Sequence, residues 1–200
     1  MRLADLTIPD SGACRAALEV ATTYCTPALR NHSIRAYLWA AGHAKRERID
    51  FDPELLYVSA LLHDIGLVEA FDNYKIPFED AGGHLAWVFG AAAGWPVARR
   101  QRASEVIIRH MWDTVDVGED PEGHLLELST AMDVSGRSTD LIDPDFRRDV
   151  LAAYPRLGAI AVLLHDLVDA IIRHENGPAP TAEGWYLETT ISVGIMRALA

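Results

Sequence analysis

The chain has 200 residues and a mass of 22.0 kDa, which suits one compact domain. Half of its residues are hydrophobic and 24% are charged, so disordered and fibrous classes of protein are excluded. The formal net charge is −11 and only two residues are lysines, so no nucleic-acid partner is expected. The longest apolar run, residues 85–95, is too short to span a bilayer, and no signal-peptide pattern opens the chain. We therefore expect no membrane association and a cytoplasmic location.

Helical periodicity dominates the chain, and no alternating run is long enough for a strand. Helix starts are indicated at Thr26, Asp52 and Asp143, because each is an N-cap residue type followed by proline. In chain order, helices are predicted at 11–24, 28–48, 53–64, 80–93, 97–112, 122–134, 145–154, 157–175 and 182–199. The fold class is therefore all-α: a single helical bundle over residues 1–200, with a core at about 27–136 and the helices of 145–200 packing on it.

Histidine and aspartate side chains occur on three of these predicted helices in the order His, His-Asp, Asp. His63 and Asp64 are adjacent where a helix should stop at Gly66, His32 lies inside a helix, and Asp133 closes another. Two imidazoles and two carboxylates are donors that zinc or ferrous iron accepts, with positions left for water. The pattern indicates one divalent metal.

This arrangement resembles the HD-domain metallohydrolase superfamily, an all-α fold, over about residues 27–136. Within it, the closer similarity is to the cyanamide hydratase branch. The matching strings are TPALRNHSIRAYLWA, ELLYVSALLHDIGL, PFEDAGGHLA, VIIRHMWD, LSTAMDVSG and AYPR. The most specific of them is FE-x-x-GG-x-LA, which begins at Phe78.

The resemblance implies a ligand set and two pocket residues. His32, His63, Asp64 and Asp133 would hold the metal, and Glu79 and His110 would line the pocket.

The expected activity is hydration of a small nitrile-like substrate, of the cyanamide-to-urea type. A bound divalent ion lowers the pKa of water from 15.7 to about 7, which supplies a metal-bound hydroxide to attack the nitrile carbon. His110 is the predicted proton shuttle, Glu79 would orient the water or accept a substrate N–H, and Asp64 completes the predicted catalytic residues.

His84 leaves a second interpretation open. The order His32, His63-Asp64, His84, His110, Asp133 also matches two-metal members of the superfamily, namely phosphohydrolases acting on small phosphate esters or nucleotides and diiron oxygenases. A catalytically silent scaffold is a further alternative. The expected partner is a small-molecule substrate, and a homo-oligomer is possible.

Three other groups of residues have a structural interpretation, and some have a functional one as well. The second dyad, His165-Asp166, lacks a downstream carboxylate at a suitable distance and is interpreted as part of a packed helix. Arg35, one turn from His32, either anchors Asp64 or Asp133 or forms a surface pair. Trp39 is expected in the core, and Trp112 either packs there or walls the pocket.

Overall fold

The structure is a computed structural model that describes residues 1–73 and 75–158. Within this part the chain forms seven α-helices and no strands, which confirms the all-α prediction. The helices are α1 (Gly12–Tyr24), α2 (Pro27–Glu47), α3 (Pro53–Leu62), α4 (Phe78–Ala92), α5 (Val97–Arg109), α6 (Pro121–Ser135) and α7 (Pro144–Ala153). No helix in the described ranges is long and apolar enough to cross a membrane.

Four helices begin with the same type of N-cap. A threonine or aspartate side chain accepts a hydrogen bond from a backbone N–H of the first turn, and proline follows at the first helical position. The side chains of Thr26, Asp52 and Asp143 do this for α2, α3 and α7, as predicted. Asp120 does the same for α6, which therefore begins one residue earlier than the sequence suggested.

Two predicted helices end earlier than expected, and both ends carry site residues. α3 stops at Leu62, so His63 and Asp64 form a turn that leads into a short 3-10 segment, Ile65–Leu67. α5 stops at Arg109, which leaves His110 as its C-cap. Side chains at such ends are free of the 100° spacing of an intact helix and can converge.

The helix α2 runs through the centre of the bundle. It packs against α3 and α6, while α1 and α5 pack against α3, and α4 and α5 lie along each other. The core between them consists of fully buried apolar side chains, among them Leu38, Leu56, Leu62, Ile107 and Leu126. This packing brings the N-terminal half of α2, which carries His32, together with the C-terminal ends of α3, α5 and α6.

The predicted helices 157–175 and 182–199 lie outside the described residues, apart from Leu157 and Gly158, as does the His165-Asp166 dyad. The single domain over 1–200 therefore stays a prediction.

Candidate metal centre

Three side-chain atoms converge where α2 meets the end of α3. The two Nε2 atoms of His32 and His63 are 3.3 Å apart, and Oδ2 of Asp64 lies 3.1 Å from Nε2 of His63 and 3.5 Å from Nε2 of His32. A tetrahedral ion with ligand bonds of about 2.0–2.1 Å separates its ligands by about 3.3–3.4 Å. The three atoms therefore have the spacing of ligands to one divalent ion, and their residues form the metal-competent group of the described chain.

Hydrogen bonds on the far side of each ring orient both imidazoles. Nδ1 of His63 donates to the carbonyl oxygen of Ala60 at 2.8 Å, and Nδ1 of His32 donates to Oδ2 of Asp133 at 2.7 Å. When a ring is neutral, its proton stays on Nδ1, and the lone pair of its Nε2 faces the other ligands. The neutral form of both rings is thus the tautomer that binds a metal ion, and an ion would replace the Nε2 proton that His63 carries when charged.

Asp64 is ionised despite its burial. It is 5% exposed, and burial opposes ionisation, but the charge and hydrogen bond of His63 outweigh it and hold the pKa of Asp64 well below its usual range. For the pKa of His63, burial is again opposed by Asp64, and the net direction is upward. A buried anion that is stabilised mainly by neighbouring imidazoles is suited to accept a cation between them.

Asp133 lies next to the three ligands, where it contacts the Nδ1 side of the His32 ring and not the Nε2 side that faces the ligands. Its carboxylate accepts from Nδ1 of that ring, from Arg35 through Nε and Nη2, and from Nε1 of Trp39. Burial disfavours its charge, yet the hydrogen bonds from His32 and Arg35 keep the pKa of Asp133 well below its usual range. Asp133 is not among the three converging ligand atoms, so direct ligation by it stays a prediction.

His110 lies beside the three ligands. Its Nε2 is 3.7 Å from Oδ1 of Asp64, and its ring meets the His63 ring edge-on with centroids 4.8 Å apart. Nδ1 donates to the carbonyl oxygen of Ile107, so Nε2 carries the lone pair. Burial, with the charge of His63 adding to it, lowers the pKa of His110 to about 4. At neutral pH the ring is therefore a proton acceptor.

Glu79 lies in the first turn of α4, and its carboxyl group is not fully hydrogen-bonded within the described residues. Its Oε2 is buried and finds no hydrogen-bond partner among the described residues. Burial raises the pKa of Glu79 to about 7, and the nearby charges of Asp80 and Asp64 act in the same direction. A carboxyl group with this pKa can hold or release a proton near neutrality.

The glycine pair of the FE-x-x-GG motif explains how α4 comes so close. A Cβ at Gly82 would lie 3.1 Å from the carbonyl oxygen of His63, and one at Gly83 would lie 2.8 Å from Oγ of Ser104 on α5. Larger residues would push α4 away from both neighbours. The motif therefore positions Glu79 next to the His-Asp turn.

A small apolar cluster covers the same end of the site. It consists of Leu67 and Phe78, which are buried, with Met111 packed against them. The Phe78 ring meets the His110 ring edge-on at a centroid distance of 5.9 Å. No role for these residues was predicted from the sequence, although Phe78 begins the FE-x-x-GG-x-LA motif.

Three other residues considered from the sequence, His84, Trp112 and Trp39, lie outside the group of converging ligand atoms. His84 is exposed on α4, so it does not join the buried ligands. Trp112 is 52% exposed and is stacked by Arg109, which does not support a place in the pocket wall. Trp39 is buried as expected, but its donation to Asp133 was missed. Its spacing of seven residues from His32, two helical turns, was the available signal.

An all-helical bundle with a buried His, His-Asp ligand group has the properties of an HD-domain metalloenzyme. The HD-domain family profile matches residues 29–115, which include His32, His63, Asp64 and His110. Cyanamide hydratase DDI2 and cyanamide hydratase DDI3 of Saccharomyces cerevisiae are each 33% identical over 155 residues, 74% of this chain and 68% of theirs. The chain belongs to the HD-domain superfamily, near its cyanamide hydratase branch, and is an enzyme of that family.

Proposed function

We propose that this protein is a metal-dependent hydratase that adds water to a small nitrile-like substrate, as in the conversion of cyanamide to urea. The observation that carries this function is the placement of two proton-exchanging side chains, His110 and Glu79, beside a buried three-ligand site. The names of the two relatives support the choice of substrate.

His32, His63 and Asp64 would hold one zinc or ferrous ion, since both ions accept two imidazoles and a carboxylate. When bound, such an ion supplies Lewis acidity and lowers the pKa of a coordinated water. We propose Asp133 as the fourth ligand, which it would become by turning its carboxylate away from its contacts with His32 and Arg35.

His110 and Glu79 each carry one of the two proton transfers that hydration requires. As a water oxygen bonds to the nitrile carbon, Nε2 of neutral His110 accepts a proton from that water. One C–N π bond breaks, and protonated Glu79 donates to the nitrogen on which the electron pair collects. Return of the proton from His110 to Glu79 resets the site. The hydroxyl imine so formed becomes the amide by moving its O–H proton to nitrogen, which for cyanamide gives urea.

The surroundings of the site favour a small neutral substrate over a phosphate ester. His32, His63, Asp64 and His110 are each at most 7% exposed, and Phe78 with Leu67 supplies apolar cover. In the described part of the chain, both arginines that reach the centre, Arg35 and Arg156, are bound to Asp133. A phosphate group would therefore lack uncommitted cationic donors.

One experiment tests the function and its alternatives together. The purified protein is analysed for zinc and iron, then assayed with cyanamide, simple nitriles and phosphate monoesters. We expect about one equivalent of metal and urea release without phosphate release. Phosphatase activity alone would replace the hydratase by a phosphohydrolase, two equivalents of iron with oxygen consumption would indicate an oxygenase, and absence of metal and activity would indicate a scaffold.

A further inference from the structure

We propose that His43 and His124 form a second site for a divalent transition-metal ion such as zinc, with Glu47 as the third ligand. The second site lies where the C-terminal half of α2 packs against α6. His43 is eleven residues from His32 on α2, which separates the two by about 16 Å along the helix axis. The second site therefore does not depend on the metal centre or on the proposed hydratase function.

The imidazole rings of His43 and His124 are close enough to share an ion. Their centroids are 6.5 Å apart, and their planes are inclined by 41°. With metal–nitrogen bonds of about 2.0–2.1 Å, two imidazoles on one zinc ion have centroids about 5–6.5 Å apart. The observed spacing is at the upper end of this range, so small side-chain rotations bring one nitrogen of each ring onto a common ion.

His43 is a buried imidazole with an unpartnered nitrogen. It is 7% exposed, and its Nδ1 finds no hydrogen-bond partner among the described residues. Burying a polar nitrogen without a partner costs free energy, part of which a bound ion would recover. Burial lowers the pKa of His43 despite the opposing charge of Glu47, so the ring is neutral at pH 7, as a metal ligand must be.

His124 is oriented for ligation by a backbone contact. Its Nδ1 donates to the carbonyl oxygen of Val115 at 2.9 Å, so the neutral ring carries its lone pair on Nε2. The same type of contact, to the carbonyl of Ala60, orients His63 in the metal centre. Within the described part of the chain His124 is only partly buried, which gives an ion access from solvent.

Glu47 supplies a carboxylate beside the two imidazoles. It lies one turn after His43 on α2, the spacing that places two side chains on one helix face. Its carboxylate is 46% exposed and contacts Arg46 at 3.3 Å, a surface pair that a metal bond can replace. The nearby Glu127 on α6 is instead paired with Arg137. Because Glu47 must rotate to reach the ion, we expect the second site to bind more weakly than the metal centre.

The donor set determines which ions fit. Two imidazoles and one carboxylate favour zinc, copper or nickel over magnesium and calcium, which prefer oxygen ligands alone. We expect the second site to fill only when such an ion is added, so the purified protein still contains about one equivalent of metal.

The test compares zinc binding by wild type with that of His43→Gln, His124→Gln and Glu47→Gln. Each purified protein is dialysed to equilibrium against a series of zinc concentrations, and the bound zinc is measured by metal analysis. His84→Gln is the matched control, because it removes an exposed histidine from α4. Urea unfolding with and without added zinc reports the binding independently, since an ion that binds only the folded chain stabilises it.

We expect wild type and His84→Gln to gain about one further equivalent of zinc and to become more stable as it binds. His43→Gln and His124→Gln should each lower the affinity for this ion by at least about 10-fold, since groups that only orient ligands already contribute about 10- to 100-fold. Glu47→Gln should lower it by less, because the amide oxygen remains a weaker ligand.

The opposite results would overturn the second site. These are a wild type that gains no further zinc, a gain that survives both histidine substitutions, or its loss in His84→Gln. If His43→Gln does not fold, His124→Gln carries the test, because its ring is only partly buried. A chain that leaves cyanamide unchanged but shows the expected difference between wild type and His124→Gln would contradict the hydratase and still support the second site.

Discussion

The carbonyl oxygen of Phe78 occupies the position that a side chain on Gly66 would need. A Cβ at residue 66 would approach this oxygen to 2.1 Å, and it would lie 2.9 Å from the carbonyl carbon and 3.1 Å from the Cα of Phe78. The turn that presents His63 and Asp64 is therefore in direct backbone contact with the start of α4.

We expect Gly66→Ala to destabilise the fold by about 3 kcal/mol, because two stretches of backbone must separate to admit one methyl group. Urea unfolding of the metal-free protein measures this loss. Gly12→Ala is the control, since no described heavy atom lies within 4 Å of a Cβ there and Gly12 begins α1. It should be neutral or stabilising by up to about 1 kcal/mol. Equal stability of the two variants would contradict the close contact.

Glu79 should make stability depend on pH in an unusual direction for a carboxyl group. Its pKa is about 7 in the folded chain against an ordinary value of 4.5, so the folded state binds this proton more tightly. Between these two values, the free energy of unfolding should fall as pH rises, by roughly 2 kcal/mol with allowance for partial solvent exposure. Urea unfolding of metal-free wild type and Glu79→Gln at pH 5, 6, 7 and 8 measures this slope. The variant should lose this part of the slope, and parallel curves would contradict the raised pKa.

His110→Ala should leave the metal in place and remove most of the activity. Nε2 of His110 is 3.7 Å from the Asp64 carboxylate, and His110 is absent from the group of converging ligand atoms. Loss of a positioned proton acceptor lowers kcat by about 10² to 10⁴. Metal analysis and steady-state kinetics on the same preparation separate the two effects. A variant that loses the ion would identify His110 as a ligand.

His84→Gln should retain both one equivalent of metal and the wild-type kcat. The side chain of His84 is exposed on α4, while the proposed ligands are buried. His63→Gln in the same experiment should lose the ion, since it removes a ligand atom. A fall from two equivalents to one in His84→Gln would establish the two-metal alternative.

Phe78 should limit the size of the substrate. Its ring packs on His110 and is 6% exposed, so Phe78→Ala opens space beside the proton acceptor. We expect kcat/KM for benzonitrile relative to cyanamide to rise by about 10-fold or more. Val88→Ala, an exposed change on the same helix, should leave this ratio unchanged. The same ratio in all three proteins would contradict the role of Phe78.

The sequence predicted the helices well because their start signals are local. The caps at Thr26, Asp52 and Asp143 need only the next three residues to act, and each lies where it was predicted. The ends of α3 and α5 were placed too late because His63 and His110 carry no stop signal of their own.

The site could be predicted only in part, for a physical reason. Residue type and order identify His32, His63 and Asp64 as donors, but they do not say which nitrogen of His32 faces the centre. In the folded chain it is Nε2, because Nδ1 contacts Asp133 across the packing of α2 against α6. Likewise, the motif around His84 does not reveal that its side chain faces outward.

The burial of the three ligands has a kinetic consequence. Within the described part of the chain, His32, His63 and Asp64 are at most 5% exposed, so the folded bundle presents little of their surface to an incoming ion. We expect loading either to precede closure of the bundle or to wait for a transient opening, for example where Phe78 covers the centre. The rate at which the metal-free enzyme regains its ion would then report how often this part of the fold opens, independently of how tightly the ion is held.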